Sequence, residues 1–156
     1  HLTERGHQKI AYIAGPNINY NALERERAFV RALESRHLDL PRERIVTGYD
    51  NDYNIYHDAL NAVLKQDISA VVCFNDSLAL ALWDLAEARD LRVPHDISII
   101  GIDNRPAGET RGLTTIMHSF SDVGRLAMEA WVELKNGNDP ESCNKIAPVH
   151  LIERNS

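Results

Sequence analysis

The feature that most limits the possible folds is a set of short runs that are apolar on both faces of a strand. The runs are KIAYIAG, AVVCF and ISIIGI, and a shorter one, RIVTG, lies between the first two. Strands of this kind lie in parallel sheets that helices cover on both sides. Right-handed crossovers then predict a doubly wound α/β sheet flanked by helices.

Helical spacing of apolar residues separates the runs. The first predicted helix places Ala22, Phe29 and Ala32 on one face, with Leu23, Val30 and Leu33 alongside. The second, YNIYHDALNAVLKQ, has an inner face made of Ile55, Ala59, Ala62 and Val63. The third is SLALALWDLAEARD.

The alternation breaks after Ile102. DNRPAGETRG is predicted as a long polar connection, and LTTI is too short for a central strand. An amphipathic helix follows from Ser121 to Asn136, where Asn-Gly is a stop signal. KIAPVHLIER is predicted as the last strand, at a sheet edge or with a bulge, because Pro148 lacks an N–H donor.

Composition excludes several classes of protein. The chain has 156 residues and a formal net charge of -6, which fits one domain and argues against direct binding of nucleic acid. No apolar run approaches the ~20 residues that span a bilayer. The two cysteines are expected to be reduced, and no His or Cys spacing predicts a metal site.

Polar side chains follow three of the predicted strands. Asn19 and Asn21 come after the first strand, Asn75 and Asp76 after the third, and Asp103 after the fourth. In parallel sheets ligands bind at the carboxyl ends of the strands, so these residues predict a polar rim that binds hydroxyls. We interpret Asp76 as the helix N-cap and Asn75 as the ligand contact. Turn roles for Asn75 and Asp103 are the alternatives.

Arg25 departs from two local rules. It lies on the apolar stripe of its helix, and it places a cation near the positive end of the helix dipole. A residue with such departures is often functional. We expect Arg25 to face Asp103 across a cleft and to keep donors for a ligand; an arginine that snorkels from the edge of the face is the alternative.

Catalytic motifs are absent from the sequence. GxSxG, GxGxxG and GxxxxGK[ST] do not occur, and His118 and Ser119 are adjacent without forming a triad. We therefore predict that the chain is not an enzyme and requires no cofactor.

Several segments match one family in order and spacing: HLTERGHQKIAYIAGP, RERAF, AVVCFNDSLALAL, LRVPHDISIIGIDN, LTTI and HLIERNS. The chain resembles the effector-binding core of the lactose/galactose-repressor (LacI/GalR) family of bacterial transcription regulators. The resemblance implies a periplasmic-binding-protein-like fold with an effector cleft between two subdomains. It also implies a cytoplasmic homodimer that binds operator DNA through a helix-turn-helix domain absent from this chain.

The resemblance assigns roles to individual residues and segments. Effector contacts are expected from Arg25, Asn75, Asp103, Phe120, Asn19 and Asn21. Residues 9–103 would form the C-terminal subdomain, 104–138 a crossover and a helix that packs on the other subdomain, and 139–156 the closing strand and tail. Residues 1–8 would be the tail of a helix from the N-terminal subdomain.

The expected function is the sensing of a small polar effector, either a sugar or a nucleoside-like compound. A periplasmic-type solute-binding protein with the same fold is the alternative. Either reading leaves the identity of the effector open.

Overall fold

The computed structural model describes residues 1–16, 18–47 and 53–156. Its strands are β1 (Ile10–Ala14), β2 (Ile45–Thr47), β3 (Ala70–Cys73), β4 (Ser98–Ile102), β5 (Thr114–His118) and β6 (Val149–Ile152). Its helices are α1 (Tyr20–Glu34), α2 (Tyr53–Leu64), α3 (Asp76–Glu87), α4 (Pro106–Arg111) and α5 (Phe120–Lys135), with a short 3-10 helix at Arg42–Arg44.

The six strands form one sheet in the order β2-β1-β3-β4-β5-β6. The pairs from β2 to β5 are parallel, and β6 pairs antiparallel with β5. Every residue of β1 and β4 is buried, which is the reason that their sequences are apolar on both faces. The predicted doubly wound α/β fold is confirmed.

One face of the sheet packs against α2 and α3. The buried residues of α3 include Leu78, Leu82 and Trp83, and they join strand residues such as Val71 and Ile99 in one core cluster. Leu82 is fully buried, a placement that contributes about 1.5–3 kcal/mol to folding. This cluster anchors the helix whose first turn reaches the predicted site.

The other face is covered by α1. Tyr12 of β1 stacks on Phe29 of α1 with ring centroids 4.9 Å apart, and Leu33 is buried beside Ile10. Ala32, predicted to face the core, is exposed. The buried stripe of α1 therefore runs through Ala22 and Leu33, with Phe29 partly covered between them.

The inner face of α2 differs in part from the prediction. Leu60 and Val63 are buried, whereas Ala62 is exposed. The helix presents its larger apolar side chains to α3, because burial of Leu removes more apolar surface from water than burial of Ala. The side chain of Ile55, also predicted to face inward, lies outside the described residues.

The prediction that LTTI is too short for a central strand is wrong. Thr114 to His118 form β5, which lies between β4 and β6 inside the sheet. Thr114 and Thr115 are buried, and their hydroxyls take part in hydrogen bonds. The preceding connection also contains the short helix α4, which begins with Pro106 at its first position.

The last helix and strand follow the prediction closely. α5 ends at Lys135 with Asn136 as its C-cap, and Gly137 has a φ of +85°, as expected for a helix stop. β6 begins directly after Pro148 and is an edge strand.

Cys73 and Cys143 are both free and buried. No helix in the described ranges is long and apolar enough to cross a membrane.

Candidate functional site

The predicted site residues follow strands whose carboxyl ends meet at one edge of the sheet. β1, β3, β4 and β5 are parallel neighbours, so their ends lie side by side. β2 lies on one side of β1 while β3, β4 and β5 follow on the other, so the direction of winding reverses between β1 and β3. Such a reversal opens the crevice in which α/β proteins bind ligands.

Arg25 bridges this crevice from the α1 side. Its Nη1 donates to the carbonyl oxygen of Phe74 at 2.7 Å, and its guanidinium lies 4.8 Å from the centroid of the Phe74 ring. Its Nη2 lies 3.5 Å from Oδ1 of Asp103, as expected from the sequence. The Arg25 and Asp103 side chains are 27% and 28% exposed, so both present part of their polar surface to solvent.

Asp103 stands on a turn with an uncommon backbone. Asp103 and Asn104 have φ values of +113° and +52°, and neither is glycine. L-residues adopt such conformations only where the surrounding contacts hold them. The Asp103 N–H donates to the Ile116 carbonyl on the neighbouring strand at 2.9 Å, so the turn begins where the β4–β5 ladder ends.

The predicted roles of Asn75 and Asp76 are partly reversed. The N-cap of α3 is Asn75, which has extended backbone geometry and accepts from the Leu78 N–H at 2.9 Å. The interpretation of Asp76 as the cap is wrong, because Asp76 is already helical and its side chain points into the protein. The cap occupies the side-chain oxygen of Asn75, so its Nδ2 group is the part left for an effector.

The carboxylate of Asp76 is fully buried and makes two short hydrogen bonds. The Arg105 N–H donates to Oδ2 and the Thr115 hydroxyl donates to Oδ1, both at 2.6 Å. Burial raises the pKa of Asp76 above its ordinary value, and the two hydrogen bonds offset only part of that rise. Sequence reasoning missed this role because its partners lie 29 and 39 residues away along the chain.

The two asparagines near the start of α1 have different positions. Asn19 is the N-cap of α1 and accepts from the N–H groups of Asn21 and Ala22 at 2.9 and 3.3 Å. Asn21 is exposed, one helical turn before Arg25. The structure therefore gives Asn19 a capping role that accounts for its side-chain oxygen, and it leaves the Asn21 side chain at the crevice.

Phe120 begins α5 beyond the end of β5 and is 75% exposed. Its ring contacts the His118 ring edge to face, with the ring centroids 4.8 Å apart. Because it follows β5, which is parallel to β4, it lies at the same edge of the sheet as Asp103. No contact brings it to Arg25 or Asp103 in the described part of the chain.

Two residues that support the site were not predicted. Phe74 holds Arg25 through its carbonyl and its ring, and it was interpreted only as the end of a strand. Arg154 donates to Oδ1 of Asn104 at 2.8 Å and to the Leu113 carbonyl at 2.7 Å, so the end of the chain braces the Asp103 turn. A basic residue in a C-terminal tail carries no sequence signal for such a role.

A cavity of about 790 Å³ lies between α1 and the sheet. It reaches the crevice at Asn21 and Arg25, and its other end is lined by His1, Leu2 and Thr3. Most of its wall is apolar, with side chains such as Ile10, Phe29, Val72, Ile100, Ile116, Val149 and Leu151. An apolar wall suits packing against another apolar element better than the binding of a polar compound, so we locate the candidate site at the polar rim.

Metal ligation has no support among the residues that can be described. His, Cys, Asp and Glu form no cluster of three or more there that could hold an ion. The chemistry offered by the rim is hydrogen bonding from a guanidinium, a carboxylate and amides.

A family model for a periplasmic binding protein-like domain matches residues 1–156. The chain belongs to this family. Among curated relatives, the HTH-type transcriptional repressor PurR of Vibrio cholerae is 30% identical over 161 residues, with 100% of this chain and 47% of the relative covered. PurR of Pasteurella multocida is 34% identical over 145 residues, with 90% and 43% covered. The chain thus spans about half the length of these relatives.

Solved structures agree with this assignment. The lac repressor dimer bound to operator and the anti-inducer ONPF matches with a TM-score of 0.83 and 27% identity, covering 99% of this chain and 54% of that one. The complex of the transcriptional regulator CelR with cellobiose matches with a TM-score of 0.81 and 27% identity, covering 99% and 48%. A LacI-family regulatory protein from Chloroflexus aggregans has a TM-score of 0.86 at 24% identity, covering 99% and 57%, which shows the shared fold.

These matches confirm the resemblance to the lactose/galactose-repressor family. The chain corresponds to the periplasmic-binding-protein-like part of these regulators. Its relatives are transcriptional repressors, which agrees with the prediction that the chain is not an enzyme.

Proposed function

We propose that this chain is the effector-sensing half of a cytoplasmic bacterial transcription regulator, in which a small polar effector binds between it and a second subdomain. The observation that supports this most directly is the Arg25–Asp103 pair at the switch point of the sheet. The pair combines a cation and an anion that are both partly exposed, and each retains hydrogen-bonding capacity.

The chemistry of the rim favours a ligand with several hydroxyls. Arg25 directs one N–H to Phe74 and another toward Asp103, and the others are available as donors. Asp103 offers its second carboxylate oxygen as an acceptor, and the Asn21 amide provides both functions. A sugar hydroxyl donates and accepts at once, so it suits such a mixed set.

An effector with an aromatic ring is the second candidate. The exposed ring of Phe120 offers a flat apolar surface on which a nucleobase or the apolar face of a sugar would stack. The similar structures include a complex with cellobiose, whereas the curated relatives are PurR repressors. Both chemical classes therefore belong in one test.

DNA binding is assigned to another part of the regulator. The net charge of -6 gives this half no electrostatic attraction to phosphates, so operator DNA would be bound by a helix-turn-helix domain outside the chain. Effector binding would shift the equilibrium between two arrangements of the subdomains in a homodimer. That shift would change the spacing of the two DNA-binding domains, and with it the affinity for operator.

A thermal-shift screen of the full-length protein tests the proposal. The panel contains glucose, galactose, ribose, cellobiose, hypoxanthine and guanosine. A compound that binds raises the melting temperature and, on our proposal, also changes the affinity for DNA sequences selected in vitro with the same protein. A compound that raises the melting temperature without any change in DNA affinity would favour a solute-binding protein instead.

A further inference from the structure

The carboxylate of Asp76 connects three parts of the molecule that meet behind the effector rim. Asp76 opens α3, its Oδ2 accepts from the backbone of Arg105 at the start of α4, and its Oδ1 accepts from Thr115 in the middle of β5. Asp76 is 0% exposed, so it makes no contact with an effector in the crevice.

The backbone around this carboxylate is shaped to admit it. A Cβ added to Gly101 would lie 2.2 Å from Oδ1 and 3.1 Å from Cα of Asp76, and one added to Gly108 would lie 3.2 Å from Oδ2. Gly101 therefore requires the absence of a side chain if the carboxylate is to stay where it is, and Gly108 leaves little room for one. Burial of a carboxyl group with only two hydrogen bonds lowers the stability of the fold. Packing alone therefore does not account for Asp76 at this position.

The same hydrogen bonds control the turn that carries Asp103. The Thr115 hydroxyl donates to Asp76 and accepts from the Asn104 N–H at 3.3 Å, and the Arg105 N–H donates to Asp76 directly. The two residues that follow Asp103 are thus fixed to one buried group. Together with the Arg154 guanidinium on Oδ1 of Asn104, these bonds surround the turn in which Asp103 and Asn104 have positive φ.

We propose that Asp76 is a positioning residue for the effector site, which presents the Asp103 carboxylate to Arg25 and joins this turn to β5. The inference rests on the proposed function, because it assigns Asp103 to the effector. β5 ends at His118, and α5 follows it from Phe120. Through its bond to Thr115, Asp76 therefore also connects the rim to α5.

Two substitutions disrupt the hydrogen bonds between Asp76 and the turn while nearly preserving side-chain shape. Asp76→Asn keeps an oxygen for Thr115 but turns an NH₂ donor toward the Arg105 N–H. Thr115→Val is nearly isosteric and removes the hydroxyl that contacts both Asp76 and Asn104, whereas Thr115→Ser retains the hydroxyl and is its matched control. Val63→Ala, on the buried face of α2, is the control for a loss of stability that leaves the turn intact.

A double-mutant cycle with Asp103→Asn separates positioning from a general structural role. Affinity is measured by calorimetry in the full-length protein for each of the six panel compounds. We expect Asp76→Asn and Thr115→Val to weaken binding about tenfold and Thr115→Ser and Val63→Ala to change it less than twofold. In the Asp103→Asn background, Asp76→Asn and Thr115→Val should add less than a twofold loss.

The proposal is overturned if the losses multiply in the double variants, or if both single variants bind as the unchanged protein does. Should Asp76→Asn fail to fold, Thr115→Val with its serine control carries the cycle alone. A crystal structure of Thr115→Val without effector provides a second readout. We expect Asp103 to move away from Arg25 there, and an unchanged separation would also overturn the proposal.

The structural readout keeps the two proposals distinguishable. If none of the six compounds binds, the proposed classes of effector fail. The distance between Arg25 and Asp103 in the Thr115→Val structure then still decides whether Asp76 positions the turn.

Discussion

Arg25 and Asp103 are separated by 78 positions in the chain, yet Nη2 of Arg25 lies 3.5 Å from Oδ1 of Asp103. The two residues belong to connections that follow different strands, β1 and β4, and β3 lies between them. Phe74 follows β3 directly. Its carbonyl oxygen accepts a hydrogen bond from Arg25, and its ring lies against the guanidinium. The charge pair is therefore a product of the sheet order, and it places a cation and an anion at the point where the winding reverses.

The first prediction concerns Arg25. Arg25→Ala should weaken effector binding by about 1–3 kcal/mol, because charge-assisted hydrogen bonds to the ligand are lost. Calorimetry on the full-length protein measures the change. Arg27→Ala is the matched control, since Arg27 lies on the same helix, is exposed and pairs only with Glu24 in the part of the chain that is described. Equal affinities of the Arg25 and Arg27 variants would remove Arg25 from the site.

The second prediction separates two roles of Asn75. Asn75→Ala should lower the free energy of unfolding by about 1 kcal/mol, because α3 loses its N-cap. Asn75→Asp keeps an oxygen for the Leu78 N–H and removes the amide donor, so it should preserve stability and weaken effector binding. Chemical denaturation and calorimetry measure the two quantities. If the aspartate variant binds the effector normally, Asn75 is a cap and no ligand contact.

Much of the fold is predictable from the sequence because it depends on local patterns. Runs such as KIAYIAG are apolar on both faces, so helices must cover both faces of the sheet. The predicted strands match β1 and β4 closely. LTTI was judged too short because the run was ended at Ile116, whereas the strand continues through Met117 to His118. In the structure the hydroxyls of Thr114 and Thr115 are satisfied by Ser156, Arg154 and Asp76, so a threonine-rich segment becomes an interior strand.

The site was predictable to the extent that strand ends define it. The expected pairing of Arg25 with Asp103 is found in the structure, whereas their contact with an effector stays a prediction. The exchange of roles between Asn75 and Asp76 was not predictable, because an N-cap signal in the sequence does not distinguish two adjacent capping residues. Asp76 turns inward rather than capping α3 because Thr115 and Arg105 donate hydrogen bonds to its carboxylate. Both residues are distant from Asp76 in the chain.

The third prediction tests the space around Asp76. Gly101→Ala should destabilise the protein by about 1–3 kcal/mol, since its Cβ would lie 2.2 Å from the carboxylate. Gly124→Ala is the control: nothing lies within 4 Å of its Cβ position in the interior of α5, so the substitution should stabilise the helix by about 1 kcal/mol. Urea denaturation of both variants measures the difference. Equal effects would show that the Asp76 pocket tolerates a methyl group.

The last prediction concerns α5, which has no buried residue and carries exposed apolar side chains after its first residue: Val123, Met128, Trp131, Val132 and Leu134. We propose that this surface packs on the second subdomain, as the resemblance implies. Trp131→Gln should therefore leave the stability of the isolated chain within about 0.5 kcal/mol.

The same substitution should destabilise the full-length protein by about 2 kcal/mol or more, because a large aromatic side chain would lose a buried contact there. Glu129→Gln is the control for a polar change on the same helix, since Glu129 is exposed and pairs with Arg125 rather than with Trp131. Thermal unfolding of both variants, in the isolated chain and in the full-length protein, gives the four values required. A Trp131 variant with equal losses in both settings would contradict the packing of α5 on a second subdomain.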